Sequence, residues 1–458
     1  MKVTLKNFGV FKQVEYELAD FTIICGKNNS GKTYATYALF GFIDFLKNGF
    51  QFEINNNIIN NLFEKGTENI DLFEYSNHLQ DIINKACEQY KKFLPFIFAT
   101  SETRFKDSEF HLALKKKDVK LNNTYNRTLT FTKNDFLQIS KEMDKEILSI
   151  TFPRESKEIQ NASTIDIIKK EISNAIKALI FESTFPNVFI ASAERTGISI
   201  FEDDINANLH NRLIKRITHS TQLNINEIIA EFYNSPYPIP VTRNILFNSQ
   251  LKEVVKLSSI IDIEHKDILI DFADILGGEY KVDKEGLWFI PKKTRGIKLS
   301  LGESSSSVRS LLDVGFYLKH IAQKGDMLMI DEPELNLHPE NQRKFARLLV
   351  RLVNIGIKVF VTTHSDYIIK ELNTLIMLNF KKDQKSIIDM MIKYHYSENE
   401  LISPDKIKVF IACVNKRIPS LKLANIDPFY GIEAASFDIT IDEMNNIQKS
   451  IVFDRDLR

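Results

Sequence analysis

Cysteine is scarce: Cys25, Cys87 and Cys413 are the only three in 458 residues, and their spacing fits neither a disulfide framework nor a thiolate metal site. That scarcity points to a reducing, cytoplasmic setting. Long apolar runs are missing too. None approaches the ~18 residues that a membrane-spanning helix needs, and Met1-Lys2-Val3-Thr4-Leu5 enters strand-like alternation at once, so no membrane association is expected. There is no net charge, because 60 Lys and Arg balance 60 Asp and Glu, and this removes any global electrostatic argument for nucleic acid. Internal repeats and low-complexity tracts are absent, and no heptad pattern survives through residues 204–276, which argues against a coiled-coil arm. What is present, 43% hydrophobic and 26% charged residues, is ordinary for a globular chain of two or three domains, or of one large domain with insertions.

The strongest local signal is Gly26-Lys27-Asn28-Asn29-Ser30-Gly31-Lys32-Thr33. It follows the apolar run Phe21 to Cys25 and precedes a helix-like run from Tyr34 to Phe40. G-x-x-x-x-G-K-[ST] between strand and helix is the pattern of a phosphate-binding loop. Its glycines let successive backbone N–H groups converge on phosphate oxygens at a helix N-terminus. In that reading Lys32 reaches the β- and γ-phosphates and the Thr33 hydroxyl holds Mg²⁺.

Around this loop the chain reads as α/β. Val3 to Phe8, Val14 to Leu18 and Phe21 to Cys25 are strands, and the helix after the loop runs to about Lys47. Residues 48–290 read as a large inserted α+β lobe and helical region. Asp81 to Phe96 and Thr164 to Phe181 have helical spacing, whereas Glu109 to Leu114 and Arg127 to Thr132 alternate like hairpin strands. A core strand, Asn187 to Ala191, ends in Glu194 and Arg195, which either face a ligand or form a structural ion pair. The spacing predicts helix over 204–233 and 244–276, broken by Ser235-Pro236-Tyr237-Pro238-Ile239-Pro240, and then a hairpin joining Tyr280-Lys281-Val282 to Leu287-Trp288-Phe289-Ile290. Residues 291–375 hold a helix from Val308 to about Ala322, an apolar strand ending in Asp331 and Glu332, a helix that Pro339 starts, and a strand ending in His364. Residues 376–458 form a C-terminal extension.

The buried strand before Asp331 delivers this residue and Glu332 to a sheet's C-terminal edge, where parallel α/β sheets place ligands. Asp331 is positioned for Mg²⁺, which takes only one or two carboxylates and keeps several waters. Glu332 is the candidate for orienting or deprotonating an attacking water, and His364 for a hydrogen bond to the γ-phosphate or to that water. The serine run from Ser304 to Ser307 reads either as a flexible loop or, directly before a helix, as a second anion site.

Together these motifs resemble the ABC-type ATPase fold of SMC and RecF proteins and of the OLD family, especially the bacterial ATPases that accompany anti-phage nucleases. Gly26 to Thr33 resembles Walker A and Met327 to Glu332 Walker B, while Ser300-Leu301-Gly302-Glu303 falls where the signature motif lies, with Leu301 in place of its second glycine. Leu335 to His338 resembles the dimer-contacting loop and His364 the switch histidine. The wording Asp331-Glu332-Pro333-Glu334 through Leu337-His338-Pro339, and the segment Tyr430 to Met444, resemble the OLD-like branch. The resemblance implies an ABC-ATPase head, with ATP and Mg²⁺ as cofactors, working as a homodimer or higher even oligomer. The sites formed by Lys32, Thr33, Asp331, Glu332 and His364 are then completed in trans by Ser300, Gly302, Glu303 and Ser304. It further implies a sensor or regulator of anti-phage defence acting on a separately encoded nuclease effector of HNH or TOPRIM type. The alternative is a repair or chromosome-maintenance ATPase acting on DNA. The clusters Lys115-Lys116-Lys117 and Lys381-Lys382 either contribute to such binding or are solvated faces. Asp454-Arg455-Asp456 has a nuclease-like spacing without a preceding sheet.

Overall fold

The structure, a computed structural model, describes residues 1–114, 123–131, 136–152, 162–182, 184–200, 236–294, 296–415, 418–433, 446 and 449. In chain order the strands are β1 (Lys2–Phe8), β2 (Phe11–Glu17), β3 (Phe21–Gly26), β4 (Thr67–Asp71), β5 (Glu109–Ala113), β6 (Tyr125–Thr130), β7 (Phe136–Lys141), β8 (Ile147–Thr151), β9 (Val188–Ala191), β10 (Gly278–Val282), β11 (Leu287–Pro291), β12 (Met327–Asp331), β13 (Lys358–Thr363), β14 (Ile407–Asn415) and β15 (Ile418–Leu423). The chain divides into two compact units. One comprises Met1–Thr4, Leu39–Leu94 and Glu109–Asn187; the other comprises Leu5–Ala38, Pro95–Ser108 and Val188–Arg458.

In the second unit the sheet order is β15-β14-β3-β13-β12-β9. The pairings from β14 to β9 are all parallel and β15 is an antiparallel edge, so the fold is α/β with a mixed, mostly parallel sheet. Every residue of β3 and β12 is buried, as is typical of strands covered on both faces. Each such Leu, Ile or Met contributes about 1.5–3 kcal/mol by leaving water. Thr363 lies opposite Cys25, Asp331 opposite Thr362, and Ile330 opposite Ala191. This register brings the C-terminal ends of β3, β13, β12 and β9 side by side, and each leads into one of the singled-out motifs. Segment 376–458 contributes β14, which pairs with β3 on its other flank.

The helix Pro339–Asn354 connects β12 to β13. It starts as expected, with His338 capping the Glu340 amide and Pro339 in the first turn. The continuous helix expected from Val308 is instead broken into Ser306–Ser310, Leu312–Phe316 and a π-helical turn, Tyr317–Ile321. Side chains take carbonyls that a helix would use: Tyr280 Oη donates to Val308 O, and Arg195 Nε to Ser310 O at 2.7 Å. The expected 244–276 region also divides, into helices Ile239–Ser249, Leu251–Val254, Ile260–Glu264 and Lys266–Leu276. The proline break ends at Pro238, because Pro240 sits in the first helical turn, where no amide donor is needed. The β10–β11 hairpin forms as expected.

The first unit carries an antiparallel sheet in the order β4-β8-β7-β6 and the helix Ala162–Phe181. Its core is aromatic: Phe42 packs tilted against Phe110 at 4.7 Å between ring centres, Phe45 against Phe93 at 4.7 Å, and Phe50 against Phe181 at 5.6 Å. β5 alternates between exposed and buried residues, whereas β6 has no buried residue, and the two do not form a hairpin with each other. β6 pairs with β7, and β5 belongs to another sheet. Alternation specifies a strand's buried face and leaves its partner open. Residues 115–117, 204–233, 434–444 and 454–456 lie outside the described residues.

Candidate functional site

The loop Gly26–Thr33 leaves β3 and enters the helix Lys32–Asn48. Two of its positions require glycine. Gly26 has φ 145° and a Cβ there would meet Ala412 O at 2.4 Å; Gly31 has φ 94° and its Cβ would meet the Phe11 ring at 2.4 Å. Asn29 also takes a positive φ, 59°. Ser30 is buried and its hydroxyl donates to Lys27 O at 2.7 Å. Lys32 is buried within the loop, its Nζ donating to Gly26 O and Lys27 O at 3.0 Å each. Asn28 lies exposed at the loop's crown.

Asp331, at the end of β12, is 1% exposed. Its Oδ2 accepts the Thr33 hydroxyl at 3.1 Å and its Oδ1 accepts the Thr362 hydroxyl from neighbouring β13. Burial raises its pKa from 3.8 to about 6 and Glu332 and Glu194 add to the rise, against the two hydroxyl hydrogen bonds. This is a desolvated carboxylate oxygen beside a hydroxyl oxygen, which suits a hard cation. Among the described residues no cluster of three or more His, Cys, Asp or Glu could hold a metal. The donor set therefore fits Mg²⁺, which completes its shell with water and phosphate oxygens, and does not fit a metal that needs an all-protein cage.

Glu332 departs from the strand with φ 54°, a conformation that costs a non-glycine residue about 1–2 kcal/mol. Its backbone is held on both sides: its N–H donates to Thr362 O at 3.0 Å, and its carbonyl accepts Arg195 Nη2 at 2.8 Å and the Leu335 N–H at 3.2 Å. The left-handed turn carries the side chain off the sheet to the edge, where His364 Nδ1 lies 3.7 Å from Glu332 Oε1. His364 follows β13 and its ring is 42% exposed.

Arg195 forms neither of the arrangements left open by the sequence. It is buried, and its guanidinium donates to Ser192 O (2.8 Å), Asp331 O (2.6 Å), Glu332 O and Ser310 O. Burial pushes its pKa down, while Asp313, Asp331, Glu334 and Glu332 oppose the shift. It is a strut that joins the ends of β9 and β12 to the helix following the serine run. Glu194 instead accepts the Tyr37 hydroxyl at 3.0 Å, and burial followed by the Glu194 and Asp331 charges pushes the Tyr37 pKa well up.

The stretch Ser300–Ser304 is folded on itself. Glu303 Oε2 accepts the Ser300 amide (2.9 Å) and hydroxyl (2.8 Å), which lowers its pKa, and Ser304 Oγ donates to Ser300 O at 2.7 Å. Ser305 caps the Val308 amide and Ser306 Oγ accepts Arg309 Nη2, so these hydroxyls already have internal partners. Gly302 has open space around it, with Ser300 Oγ nearest to a built Cβ at 3.9 Å. Lys381 ends the helix Asp366–Lys381 with its Nζ over the Phe429 ring.

A family model described as AAA ATPase domain (AAA_15) matches residues 1–369. The chain belongs to the AAA_15 ATPase family. An ATPase domain implies nucleotide binding and ATP hydrolysis, and the loop and carboxylates just described lie within the matched span. No curated protein matches the AAA_15 chain. Solved structures similar to it include the SmcHead bound to the C-winged helix domain of ScpA, at 10% identity over 93% of this chain and 97% of that chain, with TM-score 0.35. The SMC head domain from Thermotoga maritima is similar at 11% identity, 93% and 98% coverage and TM-score 0.31. The Smc head domain with an extended coiled coil, bound to the C-terminal domain of ScpA derived from Pyrococcus furiosus, is similar at 12% identity, 98% coverage of both chains and TM-score 0.31.

The sequence gives Thr362 and Glu334 no site role, and offers Arg195 only as a ligand-facing or ion-paired residue. Thr362 had a detectable signal, a polar residue late in an apolar strand. Among the described residues no helix is long and apolar enough to cross a membrane.

Proposed function

We propose that this AAA_15 ATPase hydrolyses ATP as an ABC-type head, with nucleotide held between two copies. The observation that carries the reading is the Thr33–Asp331 hydrogen bond of 3.1 Å, which joins residues 298 apart in sequence at one sheet edge. The backbone amides of Gly26 to Thr33 cradle the phosphates and Lys32 exchanges its loop carbonyls for phosphate oxygens. Thr33 and Asp331 hold Mg²⁺, which when bound supplies charge neutralisation on the phosphates. Glu332, turned to the edge and half-buried, orients and deprotonates the attacking water, and His364 contacts that water or the γ-phosphate. Ser300, Gly302, Glu303 and Ser304 complete the site of the partner copy. The head draws on residues 1–47 and 291–375; residues 48–290 form the inserted lobe and contribute the core strand near 187–195, and 376–458 form the extension.

The Asp-Glu-Pro-Glu-Leu-Asn-Leu-His-Pro run from Asp331 to Pro339 supports the narrower role of a sensor or regulator subunit in anti-phage defence, controlling a separate nuclease. Co-purification of the tagged chain from its own host tests this: a stoichiometric nuclease is the expected companion. Recovery without a companion but on DNA, with steep salt dependence, would transfer the reading to repair or chromosome maintenance.

A further inference from the structure

Three residues beyond Asp331, the chain places a second carboxylate under the site. Glu334 is 6% exposed, and its two oxygens face the end of β13. Oε2 accepts the Thr363 hydroxyl at 2.9 Å. Oε1 accepts the His364 backbone N–H at 2.7 Å and lies 3.0 Å from His364 Nδ1. Glu332, by contrast, is 3.7 Å from that nitrogen, beyond hydrogen-bonding distance. The imidazole therefore has one close carboxylate partner, and it is not the carboxylate assigned to the water.

We infer that Glu334 is a positioning residue for His364: its carboxylate accepts the His364 backbone N–H and lies 3.0 Å from Nδ1, and so holds the histidine at the sheet edge where it meets water or phosphate. The oxygen that grips the His364 amide belongs to a buried group whose own position is set by Thr363, so the backbone that carries the ring is fixed. Glu332 is left unengaged by the histidine.

The inference rests on the proposed placement of His364 at the nucleotide, and a double-mutant cycle on the full chain separates the two. Glu334→Gln keeps shape and an acceptor oxygen but removes the charge. It is expected to lower kcat about 10- to 100-fold, as loss of a partner orienting a functional imidazole does, with KM for ATP little changed. In a His364→Ala background the same change is expected to have no further effect. An equal loss in both backgrounds would show that Glu334 acts through the fold and not through His364, overturning the inference. A His364→Ala variant with undiminished kcat would instead overturn the placement of His364 itself. Glu334→Asp, which keeps the charge but withdraws it from the His364 amide, is expected to lower kcat in the same coupled way, and a parental kcat in that variant overturns the assignment.

Discussion

Asp331→Asn is expected to make the nucleotide-free, metal-free protein more stable while destroying its activity. In the folded chain the Asp331 pKa rises from 3.8 to about 6, chiefly through burial. Above about pH 6 the carboxylate is ionised in both folded and unfolded states, and the folded state carries the whole penalty, about 3 kcal/mol. As pH falls from about 6 to about 4 the folded state binds the proton first, and the penalty is lifted. Asparagine never carries the charge, but its amide nitrogen cannot accept from Thr33 or Thr362 as a carboxylate oxygen does, a loss of about 1 kcal/mol. The net gain is therefore about 2 kcal/mol near pH 8 in EDTA, changing to a small deficit near pH 4. Urea unfolding of both proteins at those two pH values measures it, because the other titrating groups cancel in the difference. A variant less stable than the parent by the same amount at both pH values would refute the argument that burial of this charge dominates. Adding Mg²⁺ should stabilise the parent and leave the variant unmoved.

Lys32→Ala removes the one charged donor buried in the loop and should weaken ATP binding by at least about 10- to 100-fold in a calorimetric titration; full affinity would sink the loop assignment. Glu332→Gln should bind ATP yet stop turnover and accumulate as a closed oligomer on light scattering, and unchanged turnover would remove Glu332 from catalysis. Gly302→Ala would meet Ser300 Oγ at an uncrowded 3.9 Å, so unfolding should shift by less than about 0.5 kcal/mol. A fall in ATPase rate in that variant would report the contact made in trans, and a parental rate would count against it.

Much of the site was legible before the fold was known. The phosphate loop is a local object: its glycines are dictated by positive φ and close approach at Gly26 and Gly31, and eight adjacent residues contain the whole pattern. The ends of β12 and β13 were legible for a related reason. A run of apolar residues predicts a buried strand, and the first polar residues after it predict what stands at the edge, hence Asp331, Glu332 and His364. Element limits survived where one neighbour supplied the signal, as at His338 and Pro339.

What only the tertiary structure decided involves partners far apart in the chain. Nothing near Ser310 foretells that Arg195 will take its carbonyl and break a helix that local spacing makes continuous. Nothing in the alternation of β5 or β6 names a pairing strand, and nothing near β3 points to β14 as its second neighbour. The sequence by itself determined which segments are strand, loop and helix start, and which side chains bring chemistry, because sterics and hydrophobic period act over a few residues. The structure decided which carboxylate stands closest to His364, which carboxylate loses its water, and how Glu332 is turned outward. Those depend on burial and hydrogen-bond partners that only the packed chain brings together.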